Sequence, residues 1–114
     1  MTNKHLATLV SLVLGANCWA AAPEVVAPAC RLPAPLEGKW SDQAPGYTVM
    51  LADEKESTSV VAERLGRKYG FTVEGSFRHS RMFTVSRFDP DALAKLRCDP
   101  SVKLVEFNAP VQTP

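Results

Sequence analysis

Few residues in this chain could do chemistry: three cysteines, two histidines and a nearly balanced set of charges. Cys18, Cys30 and Cys98 stand far apart, and there is no Cys-x-x-Cys and no Cys/His cluster, so the spacing builds no metal site. His79 beside Ser80 offers a base and a hydroxyl. Neighbours on a tight turn do not meet the geometry of a catalytic triad, and no third group is evident to orient them. A solvated turn is the stronger reading, so no catalytic residue and no cofactor is expected. What remains is Cys30 with Cys98, which in an oxidising compartment is most simply a disulfide. Closing a loop of roughly 70 residues, it contributes about 4 kcal/mol, a large share of the stability of a small domain.

The compartment follows from the first twenty residues. Lys4 precedes the apolar run Leu6 to Leu14, which only Thr8 and Ser11 interrupt, and Ala20-Ala21 follows Cys18-Trp19 with small residues where a signal peptidase reads them. The run is too short to span a bilayer, which needs about 20 residues. A lipid-anchored reading of Cys18 is weakened by Asn17, which stands where a small residue is expected. The expectation is a signal peptide at 1–20 and a secreted or periplasmic product with no membrane attachment after cleavage. Cleavage removes Cys18, leaving an even pair. Of 13 basic residues it removes Lys4, leaving 12 against 12 acidic ones, and a formal charge of zero gives no pull toward nucleic acid or anionic lipid.

The elements that position these residues are legible by period. Residues 21–46 carry five prolines with little pattern and read as an extended arm. From 47 to 108 one domain follows. Tyr47, Val49 and Leu51 share one face of a strand. Ser57-Thr58-Ser59 can cap a helix on which Val61, Leu65 and Tyr69 form one stripe, and Gly70 stands where it should end. Phe71, Val73, Gly75 and Phe77 alternate with polar residues as a second strand. Residues 78–81 turn the chain into the strand Met82–Ser86, and Asp89-Pro90 opens a second helix with Leu93 and Leu96 facing the core. Asp99-Pro100 ends that helix. Val102–Phe107 is the last strand, and its imperfect alternation means either a bulge or partial burial of both faces. The order βαββαβ predicts an α+β, ferredoxin-like domain: a four-stranded antiparallel sheet with two helices on one face and the other face open.

With the elements in that order, the chain resembles the propeptides of subtilisin-like serine proteases and the stand-alone inhibitors related to them. The resemblance covers about 65 residues, from Gly46 onward. It rests on Gly46-Tyr47-Thr48-Val49, Lys68-Tyr69-Gly70, Met82-Phe83-Thr84-Val85 and, most specifically, Asp99-Pro100-Ser101-Val102-Lys103-Leu104-Val105-Glu106. It implies that the open sheet face packs on two surface helices of a protease and that the tail, 109–114, lies in the active-site cleft like a substrate. Glu106 matches an acidic residue that caps the protease helices, whose N-termini attract anions. Asn108 stands where the family often has Asp. Aligned without gaps, Val111 fills an apolar pocket four residues before the cleavage point. Gln112 and Thr113 follow, and Pro114 falls at the primary specificity pocket, which its fixed φ and missing N–H suit poorly.

The expected function is therefore a protein inhibitor whose partner is a subtilisin-like serine protease, monomeric when free. A folding helper acting in trans and a binding module without inhibitory activity are the alternatives. That the chain stops about where an uncoupled propeptide ends favours the free-standing inhibitor.

Overall fold

Short-range side-chain chemistry sets the limits of both helices. Ser57 Oγ accepts the backbone N–H of Val60 at 3.3 Å, so helix α1, Thr58–Tyr69, begins there. Gly70 closes it in the left-handed region at φ 81°, donating its N–H to the Gly66 carbonyl at 2.8 Å. Asp89 caps helix α2, Pro90–Leu96, by accepting the Ala92 N–H at 3.0 Å, with proline in the first turn where no N–H is needed. The computed structural model describes residues 22–52 and 55–110. The expected signal peptide at 1–20 and tail residues Val111, Gln112, Thr113 and Pro114 lie outside the described residues.

Five strands accompany the helices: β1 Leu36–Glu37, β2 Tyr47–Leu51, β3 Val73–Phe77, β4 Met82–Val85 and β5 Val102–Phe107. They form one sheet in the order β1-β5-β2-β4-β3. The fold is α+β. The expected sheet of four antiparallel strands is corrected: β5, β2, β4 and β3 pair antiparallel, while β1 is a fifth strand lying parallel to β5. The disulfide explains the extra strand. Cys30 is bonded to Cys98, with Cα atoms 5.8 Å apart, and the strands that follow the two cysteines, β1 and β5, run parallel. Ala34 donates its N–H to the Arg97 carbonyl at 2.7 Å and accepts Arg97 Nε at 2.9 Å; Pro35 then accepts the Val105 N–H at 2.9 Å. Part of the proline-rich arm thus closes the β5 edge, which would otherwise offer unpaired backbone groups.

One face of the sheet makes the core. Tyr47, Val49, Phe83, Val85 and Val105 are almost wholly buried against Val61, Ala62 and Leu65 of α1 and Leu93 and Leu96 of α2. Each large apolar side chain taken out of water there contributes about 1.5–3 kcal/mol before chain entropy is set against it. Phe71 extends the core by stacking on Phe83 at 5.8 Å between centroids. It precedes β3 rather than opening it. The four-residue apolar alternation expected from Phe71 to Phe77 breaks at Glu74, which has no partner between Val73↔Val85 and Gly75↔Thr84. That bulge puts Val73 toward the core and turns Phe77 to the opposite face, where it is 51 % exposed. A second register shift, Met50↔Leu104 followed by Leu51↔Val102, bulges β5 at Lys103 and resolves its irregular pattern in favour of a bulge.

Helix α2 ends at Leu96 with Arg97 as its cap, before the Asp99-Pro100 pair expected to stop it, and Asp99 has a different task. Buried at 7 % exposure, it accepts the Ser101 N–H at 2.9 Å and the Tyr69 hydroxyl at 2.7 Å, with Lys68 Nζ at 3.5 Å. Burial alone pushes its carboxyl up, but the Ser101 N–H, the Tyr69 hydroxyl and Lys68 together hold it below its ordinary 3.8. Burial and the same carboxylate push the Tyr69 hydroxyl up, so Tyr69 stays the donor. A lowered carboxylate stabilises the fold in full above its unfolded value and loses that contribution as pH falls through the folded one. Asp99→Ala therefore costs about 1–3 kcal/mol at pH 7, read from urea midpoints. Asp99→Asn flattens the loss of stability that the native protein shows as pH drops below about 4.

Candidate functional site

The second face of the sheet carries no helix, and strand register orders its side chains into two rows. Leu104, Met50, Met82 and Phe77 lie side by side across β5, β2, β4 and β3. All four are partly or largely solvent-accessible although apolar. The neighbouring row runs Glu37, Glu106, Thr48, Thr84 and Gly75 across β1 to β3. The face thus presents an apolar band four strands wide beside a polar row acidic at one end. Two flexible methionine side chains stand at its centre.

The acidic end arises from the fifth strand. Glu106 is paired with Glu37 of β1, and like charges directly opposite one another oppose pairing. Neither carboxylate has an ion-pair partner among the described residues. The β1 strand is nevertheless held there by the disulfide and by Leu36, which packs on the core. Positive ends of helices set against Glu37 and Glu106 would relieve this repulsion.

Asn108 sits at the edge of the same face and is engaged within the domain. Its Oδ1 accepts the Thr48 hydroxyl at 2.6 Å, its Nδ2 donates to the Pro45 carbonyl at 3.2 Å, and its backbone N–H donates to the Gly46 carbonyl at 3.0 Å. An amide can accept and donate at once, whereas an aspartate could not make the bond to Pro45. Asn108 thereby latches the end of β5 to the start of β2. Glu106 and Asn108 are brought to one face, while the remaining expected contact residues, 111–114, fall outside the described residues.

Elsewhere, His79 and Ser80 are exposed on the turn between β3 and β4. No group of three or more His, Cys, Asp or Glu side chains among the described residues is placed to hold a metal ion. No helix among them is long and apolar enough to cross a membrane. A groove of about 670 Å³ lies between residues 26–30 and the ends of both helices, walled by Ala94, Pro100 and the disulfide. Of its polar lining, Lys68, Tyr69 and Asp99 are bonded together, and Asp91 and Lys95 of α2 complete it.

No family model matches the chain, and no curated protein matches it. The residues of this face that reading by residue type did not single out are Glu37, Met50, Met82, Leu104 and Phe77. Met50 and Leu104 are signalled by alternation with buried neighbours; Glu37 has no local signal, because its place depends on a strand pairing 69 residues away in sequence.

Proposed function

We propose that this domain inhibits a subtilisin-like serine protease, docking its open sheet face on the enzyme and laying the chain after Asn108 in the active-site cleft. The observation that carries the reading is the open face itself, with its apolar band of Leu104, Met50, Met82 and Phe77 beside the unrelieved Glu37/Glu106 pair. Two surface helices would lie on the band with their N-termini toward the acids. The antiparallel order β5-β2-β4-β3, interleaved with two helices, supports the ferredoxin-like part of the resemblance. The disulfide supports work in an oxidising compartment, secreted or periplasmic. Inhibition is steric and product-like, with no covalent step.

The test is an inhibition assay of residues 21–114 against a panel of secreted subtilisins. Competitive inhibition at micromolar concentration or below is expected. Deleting Val111 to Pro114 should raise the inhibition constant at least tenfold, equivalent to about 1.4 kcal/mol, without moving the thermal midpoint. No inhibition of any such enzyme overturns the reading. A raised yield when a propeptide-less subtilisin is refolded in its presence, without inhibition, points instead to a folding helper.

A further inference from the structure

We infer that the N-terminal arm is a positioning element for the inhibitory tail, with Trp40 as its working contact. The inference rests on the docking reading above but on different residues. After β1 the arm does not leave the domain. Gly38, at φ 87°, lays its backbone against Phe107, so that a Cβ there would meet the Phe107 carbonyl oxygen at 3.5 Å and its Cβ at 3.7 Å. Two residues on, Trp40 meets Phe107 edge to face with ring centroids 6.4 Å apart and lies 6.4 Å from Tyr47. The indole is itself held: its Nε1 donates to Asp42 at 2.9 Å, and the Arg87 guanidinium lies 5.6 Å from its ring centroid.

Phe107 is the last residue of β5, and the chain leaves the sheet immediately after it. Its ring is covered by the arm, and the next residue, Asn108, is latched to Pro45, Gly46 and Thr48. The direction in which the tail departs is thus set from two sides. An arm anchored at Cys30–Cys98 and ending on Phe107 orients the tail toward the cleft before binding, and a preorganised segment loses less entropy when it docks.

Trp40→Ala should speed exchange of the Asn108 backbone amide, which donates to Gly46, at least tenfold in the free protein. It should also raise the inhibition constant at least tenfold, mainly through faster dissociation, with the thermal midpoint nearly unchanged. Trp40→Phe, which keeps a ring against Phe107, should restore most of both. Arg87→Ala, which leaves the ring in place but loosens it, should give smaller changes in the same direction and serves if Trp40→Ala does not fold. Unchanged exchange at Asn108 in both Trp40→Ala and Arg87→Ala overturns the inference. So does unchanged inhibition by Trp40→Ala when the native protein inhibits. A native protein that inhibits no subtilisin overturns the docking reading instead, and the exchange measurement, which needs no protease, still decides whether the arm orders the tail.

Discussion

Reducing the Cys30–Cys98 bridge, or replacing both cysteines by serine, should lower the stability of the domain by about 4 kcal/mol. The bridge joins positions 68 apart in sequence, and the loop it closes contains every element except β5. Most of its contribution comes from restricting the unfolded chain, so the native core of Phe83, Val49 and Leu65 should survive reduction with its packing intact. For a domain of this size the thermal midpoint should fall on the order of 20 °C. The local consequence is more specific than the global one. Without the bridge, the bonds of Ala34 to Arg97 and Pro35 to Val105, two residues of parallel pairing, Leu36 on the core and Trp40 on Phe107 are left to hold the arm. The Val105 amide, which donates to Pro35, should lose protection well before the amides of β2 and β4. A midpoint shift of only a few degrees, with Val105 still protected, would show that the arm is held by its packing and that the bridge merely seals it.

What could be seen in the sequence, and what could not, divides along the range of the interactions involved. Ser57, Asp89 and Gly70 act on backbone groups within four residues, and both helices begin, and α1 ends, where those residue types put them. The alternation of Tyr47, Val49 and Leu51 reports burial directly, because a strand exposes every second side chain to the same layer. Phe77 misleads because one unpaired residue, Glu74, reverses the faces of everything after it, and a bulge leaves no mark in residue type. Strand β1 is invisible for another reason. Two residues, Leu36 and Glu37, carry no period, and their pairing depends on a bridge and on contacts with residues more than 60 positions away. The cysteine pair was legible, yet its effect on sheet topology was not, since a sequence shows which residues can bridge but not what the bridged segment lies beside. The same limit hides Glu37 opposite Glu106. It also hides the latch of Asn108 to Thr48, which lies 60 positions away.

The second large effect should come from a charge placed in the middle of the open face. Met50 is paired with Leu104 on one side and Met82 on the other, at the centre of the apolar band, and its side chain points away from the core. Met50→Glu should therefore change stability by no more than about 1 kcal/mol, since it removes no core contact. Burying that carboxylate under a docked protease without a partner costs about 3 kcal/mol or more, which weakens inhibition at least a hundredfold. Val60 supplies the contrast. It is 53 % exposed on α1, in the helical layer on the other side of the sheet, so Val60→Glu adds the same charge to the protein without entering the proposed interface. Inhibition constants for the two variants separate a local effect from one of net charge, and repeating them in high salt separates steering from contact, because steering is screened and a desolvated carboxylate is not. Loss confined to Met50→Glu places the protease on the sheet. Equal inhibition by Met50→Glu and the native protein removes the open face from the interface, and with it the reason for a band of methionine, leucine and phenylalanine to stand uncovered opposite two helices that already enclose a complete core.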